Sequence, residues 1–443
     1  MKMKTILKST FLRITLLSLA CSLFFISCKK AKVLEKPPQQ CFENIDNEII
    51  LDLNNLTYTI ANEQDQFNSF IGVRALAMVH LSIHDIFNAI EPKYEPYLYK
   101  EVSTECKPLA AAAESTRIIL TKIYPSRLDT INQVCNKWLN IIEEGVDKAK
   151  SVDLGRKVAE SYLLLRKNDG HAKQDIYDPT NEPGRYQFTP GFLWAWKPYF
   201  NDLKPFMLDS LSQFSSPEPP ALNSEEYTAS YNETKEFGMK DSKSRSEDQT
   251  HIAHWWAESG EHSWNRIGRL TAKEKKLSII ETNRMLALIN MNLYDLYLTS
   301  FYSKYHYDLW RPYTAITMGE NDDNPDTKGN AKWEPEIRTS PWPEYPSTRA
   351  AVGASGAEIV SHVYGSPDVA FTMESVTALP AAKERQYTNL VKAADDCADS
   401  GIFNGTHFRF AIEEGKELGK KIAKNTIENY LQPVKKTVPT TSD

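Results

Sequence analysis

The sequence has no succession of alternating strands, no glycine-rich phosphate loop and no internal repeat. These absences argue against strand-built folds and against nucleotide binding through a phosphate-cradling turn. There is no CxxC pair and no Cys/His spacing of a zinc site. The net charge is only −6, and no basic stripe is interleaved with aromatics, so nucleic acid is not expected as a partner. The apolar run Ile14 to Ile26 is too short to span a bilayer comfortably.

What is present begins with a targeting segment. Lys2, Lys4, Lys8 and Arg13 make a basic head before that apolar run, which ends in Phe25-Ile26-Ser27-Cys28 and then Lys29-Lys30. The small residue before Cys28 resembles a bacterial lipobox, with Phe25 where leucine is more usual. The resemblance implies a signal peptide over 1–28, cleavage before Cys28 and lipidation there. An ordinary signal peptide or an uncleaved anchor is the other reading. Residues 29–45 hold Pro37, Pro38, Gln39 and Gln40 and read as a tether. The expected location is the cell envelope, as a periplasmic or outer-membrane lipoprotein held to the membrane by lipid. Cys41, Cys106, Cys135 and Cys397 then form up to two disulfides in one of three pairings, or stay as buried thiols.

About 400 residues remain, enough for a large core. Helical periodicity runs through Ser69 to Ile90, Leu109 to Ile123, Ser126 to Ala149 and Val152 to Arg166, then breaks at Asn168-Asp169-Gly170. Residues 171–225 are rich in proline and tryptophan and read as a long ordered excursion wrapping a helical core. Ser224 to Phe237 and Ser246 to Glu258 return to helix, and Leu270 to Lys304 reads as one long helix interrupted at most once. The expected fold is all-α with a few short strands at most. We divide it into an N-terminal helical region over 46–275, a core carrying the site over 276–432, and a flexible tail over 433–443.

Three segments carry chemistry. In Lys304-Tyr-His-Tyr-Asp-Leu-Trp-Arg311-Pro312, the two cations stand seven residues apart, about two helical turns, and share a face. Pro312 disfavours helix at Arg311, so the helix is expected to end near Trp310. In Glu344-Tyr-Pro346-Ser347-Thr348-Arg349, Ser347 can cap a following helix whose free amides suit an anion. Ser400-Gly401-Ile-Phe-Asn-Gly405-Thr-His407 opens a final helix running to about Tyr430. Alone, each fits a structural role: a salt-bridged pair, an ordinary cap, a satisfied histidine.

Together and in this order they resemble the vanadium-dependent haloperoxidases, in particular the bacterial branch. That family shares a superfamily with the type 2 phosphatidic acid phosphatases and bacterial acid phosphatases. Arg74-Ala-Leu-Ala-Met-Val-His-Leu-Ser-Ile-His-Asp85, Trp310-Arg-Pro-Tyr-Thr-Ala-Ile316 and Gly405-Thr-His-Phe-Arg-Phe410 extend the likeness over most of residues 50–430. It implies the haloperoxidase/acid phosphatase-like helical bundle. It implies a vanadate or phosphate site built from Lys304, Arg311, Ser347 and Thr348, with His407 as the vanadium ligand or the nucleophile. Peroxide and halide, or a phosphoester, would be the small-molecule partners, and a homodimer is expected on resemblance alone.

The chain departs from the family pattern in three ways. The family's Gly-His after the serine is Thr348-Arg349 here, so the acid/base histidine is missing. Its second arginine is Gly401, and an aspartate found in some members four residues after the ligand histidine is Ala411. Arg349 is expected to reach the anion and restore positive charge. Arginine stays protonated, so another group must exchange the proton. His306 is the substitute considered first, with His84, Asp85 and Asp308 behind it. The resemblance leaves three readings open: halide oxidation by peroxide, phosphoester hydrolysis through a phosphohistidine, and oxyanion binding without efficient turnover.

Overall fold

The structure is a computed structural model and describes residues 41–64, 69–173 and 175–435. The expected signal peptide, Cys28 and most of the expected tether lie outside the described residues. The described chain is helical, with α1 Glu48–Gln64, α2 Ser69–Ile90, α3 Pro108–Ile123, α4 Leu128–Asn140 and α5 Val146–Leu165 in the first half. After the excursion come α6 Glu225–Phe237, α7 Glu247–Trp255, α8 Gly260–Glu274, α9 Ile279–Tyr307, α10 Pro312–Thr317, α11 Thr348–Tyr364, α12 Leu390–Phe403 and α13 Arg409–Asn429. One antiparallel pair, Phe371–Glu374 with Glu384–Tyr387, is the sheet among the described residues.

Helix α9 is the axis of the fold. From Ile279 to Phe301 every residue except Glu281 is buried, as expected for a helix apolar on all sides. Several of its polar residues tie it to neighbouring elements. Asn290 exchanges amide hydrogen bonds with Asn265 on α8. Asp295 accepts the backbone N–H groups of Phe206, Met207 and Leu208, which pins the excursion onto the bundle. Asp85 does the same for Tyr97, Leu98 and Tyr99 and also accepts the Tyr162 hydroxyl. One apolar cluster runs from Ile49 on α1 to Ala423 on α13, so both expected regions share a core.

Several expectations are corrected. The tether does not reach residue 45: Cys41 is buried and disulfide-bonded to Cys106, and Phe42 packs edge-on against Phe87. Cys135 and Cys397 are the buried thiols. The tail does not begin at 433, because Pro433 bridges Tyr94 and the Val434 amide donates to Lys93. The single interruption allowed for in the long helix falls at 275–278, between α8 and α9, with Lys276 in the left-handed region. α9 stops at Tyr307 and not near Trp310, because Asp308 takes a left-handed cap (φ 54°) whose amide donates to the Lys304 carbonyl.

Candidate active site

The site forms where the end of α9, the loop before α11 and the turn between α12 and α13 meet. That turn is dictated locally. Gly405 adopts φ 78°, and a side chain there would meet the Gly238 carbonyl at 2.5 Å. The Thr406 and His407 amides both donate to the Gly401 carbonyl, which swings the imidazole back under the turn. Opposite, Ser347 caps α11: its Oγ accepts the Ala350 N–H at 3.3 Å. The Ser347 amide donates to the Ala411 carbonyl on α13, tying the two segments together.

His407 and Arg311 converge on one buried carboxylate, Glu344. The His407 Nδ1 lies 2.9 Å from Glu344 Oε1, which also accepts the Phe408 amide. Arg311 Nη1 donates to Glu344 Oε2 at 2.8 Å and to the Thr406 carbonyl at 3.0 Å, and its Nε donates to the Trp342 carbonyl. Its Nη2 is buried with no acceptor. Lys304 donates to the carbonyls of Pro343, Glu344 and Pro346 at 3.1, 2.8 and 2.6 Å. Burial and the Arg311 charge push its pKa well down. Three carbonyl acceptors nevertheless require three protons, which the ammonium form supplies. Burial pushes the Glu344 carboxyl up, but His407, Arg311 and Lys304 outweigh it and hold the group below its ordinary value. Burial lowers His407 to about 4 against the opposing pull of Glu344.

A cavity of about 530 Å³ opens on the other side of the imidazole. Its walls include His407, Thr406, Thr348, Arg349, the aromatics Trp196, Phe301 and Trp342, and a polar side of Tyr58, Glu258, Glu261 and His262. Lys304, Arg311, Glu344 and Ser347 stand behind this wall. With Nδ1 tied to Glu344, Nε2 is the His407 nitrogen available to a guest. Arg349 shares the cavity with His407, but its guanidinium donates to the carbonyls of Glu258 and Ala257. The Thr348 hydroxyl is hydrogen-bonded to Ser300 at 2.6 Å.

His306 is corrected: it lies exposed on α9, stacked on Tyr302, because its position points away from the face that carries Lys304. His84 is enclosed among Asn88 and the Glu95 carbonyl, and Asp308 holds the Tyr177 hydroxyl, so neither serves the cavity. Asp85 is committed to the loop amides described above. Sequence reasoning missed Glu344. Its signal was an acidic residue inside an otherwise apolar Trp-Pro-Glu-Tyr-Pro segment. It also missed His262, stacked on Tyr58 at 4.0 Å in the cavity wall.

The donor set fits a tetrahedral oxyanion on the cavity side. It offers an unbonded imidazole nitrogen and a helix start whose first amides belong to Thr348 and Arg349, while the orphaned Arg311 N–H lies buried behind the wall. Two family models match the chain, the vanadium chloroperoxidase N-terminal domain over residues 44–192 and the VCPO second helical-bundle domain over 284–436. The vanadium chloroperoxidase of Curvularia inaequalis is 25% identical over 403 aligned residues covering 72% of this chain, and the chain matches 64% of that protein's length. The crystal structure of a bacterial vanadium-dependent iodoperoxidase superposes with a TM-score of 0.77 at 22% identity, covering 89% of this chain and 99% of that one. A holo-type bacterial vanadium-dependent chloroperoxidase superposes at 0.66 and 16% identity, covering 82% and 91%. The helical bundle, the order of the three site segments and the paired domain matches together place the chain in the vanadium-dependent haloperoxidase family.

Proposed function

We propose that the chain binds vanadate in the cavity at His407 and oxidises a halide with hydrogen peroxide. The observation that carries this reading is an imidazole that lines the cavity while a buried carboxylate engages its Nδ1, which leaves Nε2 for a guest. When bound, vanadate supplies a Lewis-acidic centre that activates peroxide. His407 would hold it through Nε2. The first amides of α11 would hold oxygens, with Arg349 balancing charge from the wall and Arg311 from behind it. Lys304 acts at one remove by fixing the carbonyls of 343–346, and the Ser347 hydroxyl by capping α11. Trp196, Phe301 and Trp342 reduce water access and so strengthen each charge-assisted contact. Bromination of a dye with vanadate and peroxide tests the reading. Vanadate-dependent turnover abolished by His407→Ala is expected, and turnover indifferent to vanadate rejects it.

The Glu344–His407 pair also suits a nucleophilic Nε2, which supports phosphoester hydrolysis as the second reading. A trapped phosphohistidine at residue 407 without halogenation favours it. We further propose an envelope lipoprotein, a location supported by the Cys41–Cys106 disulfide. Metabolic labelling with palmitate, lost in Cys28→Ser, tests this.

A further inference from the structure

We propose that Glu344 is the positioning residue for His407. It holds the proton on Nδ1 and so presents the Nε2 lone pair to the cavity. The inference rests on the reading of His407 as the residue that meets the guest. A ligand imidazole needs its far N–H held by an acceptor, because otherwise the ring can rotate and the tautomer can switch. Position 411, where some members of the family carry an aspartate, is Ala411 and offers no side-chain acceptor. Glu344 offers one from a different segment, 63 residues before His407.

The carboxylate is over-determined. Oε1 takes both the imidazole Nδ1 and the Phe408 amide, Oε2 takes Arg311, and the residue's own amide donates to the Leu309 carbonyl. Its own carbonyl accepts Lys304. The residue is fully buried and stands behind the ring, off the cavity wall. A carboxylate that merely filled a guest's place would sit on the Nε2 side. The two cations first read as oxyanion donors therefore serve in large part as counter-ions to Glu344. Arg311 Nη2 is the cationic donor left over.

Long-range proton–nitrogen spectroscopy of the imidazoles, assigned with His407→Gln, reads the tautomer directly. Binding of inorganic vanadate to the same samples is measured by calorimetry. The wild type is expected to show His407 protonated at Nδ1. Glu344→Gln is expected to lose that signature and to weaken vanadate by roughly tenfold to a hundredfold. Lys304→Met/Glu344→Gln removes one charge of each sign, guards against a folding defect and is expected to show the same loss. Glu344→Asp should restore part of it. A wild type protonated at Nε2, or a Glu344→Gln variant that keeps the Nδ1–H signature or binds vanadate as tightly as wild type, overturns the proposal. A wild type with the Nδ1–H signature, lost in Glu344→Gln, that binds no vanadate leaves Glu344 in its role and rejects the vanadate reading instead.

Discussion

At the scale of single residues, what matters is which hydrogen-bonding capacity remains unused. Lys304 has none left after three carbonyls, whereas Arg311 retains Nη2. Gly401 shows the same economy of space. A Cβ there would lie 3.1 and 3.2 Å from the Cβ and Cδ2 of His407 and 3.3 Å from Ile412 Cδ1. Replacing a helical glycine by alanine ordinarily stabilises a protein by about 0.5–1 kcal/mol. Gly401→Ala is expected to forgo that gain, because the added methyl presses on the imidazole. Weaker vanadate binding with a thermal midpoint at or below wild type would bear this out.

Arg311 allows a second prediction. Removing one partner of a buried ion pair leaves the other charge uncompensated and costs roughly 3–5 kcal/mol. Arg311→Ala should lose about that much in denaturant unfolding. Arg349→Ala should lose far less, because its guanidinium meets only backbone carbonyls. An equal loss in the two variants would contradict the burial argument.

At the scale of elements, the site is held by how closely α11 lies against α13. A Cβ on Gly415 would meet the Ser347 carbonyl at 2.3 Å, and one on Gly419 the Ala351 carbonyl at 2.2 Å. Only glycine permits that approach, and it fixes the start of α11 against the helix that follows His407. Gly415→Ala should therefore cost roughly 1–3 kcal/mol, as overpacking does, and should displace the Ser347 turn. Crystallography of the variant would show the shift, and an unmoved turn would refute it. Ser347→Ala should cost about 1 kcal/mol as a lost helix cap. Its vanadate affinity should change less than that of His407→Ala, because Ser347 stands behind the cavity wall that His407 lines.

At the scale of the whole molecule, buried imidazoles set the response to acid. Burial lowers His80, His84 and His407 to about 4 and His262 to about 3, from an ordinary 6.5. Below about pH 6.5 the unfolded chain binds protons that the native chain refuses. Stability is therefore expected to fall as the pH drops from about 6.5 toward 4, with proton uptake on unfolding. Calorimetric unfolding in buffers of different ionisation enthalpy measures that uptake, and a flat profile across this range would refute the assignment. Reducing Cys41–Cys106, which closes a separation of 65 residues, should cost roughly 4 kcal/mol by the chain-entropy argument. Thermal unfolding with and without reductant checks it.

The sequence by itself determined what is local. Periodicity marked the helices, Ser347 marked a cap, and Gly405 with His407 marked a turn, because each depends on neighbours a few residues away. It also placed Lys304, Arg311 and His407 in motif order. Tertiary structure decided what those groups point at. It turned Lys304 onto a loop of carbonyls, took His306 out to solvent and set Arg349 on a cavity wall. It also moved the partner of His407 from position 411 to Glu344. The physical reason is that a buried charge takes the nearest acceptor or donor that the packed chain supplies, and residues 63 apart in sequence become neighbours only once α9, α11 and α13 have packed together.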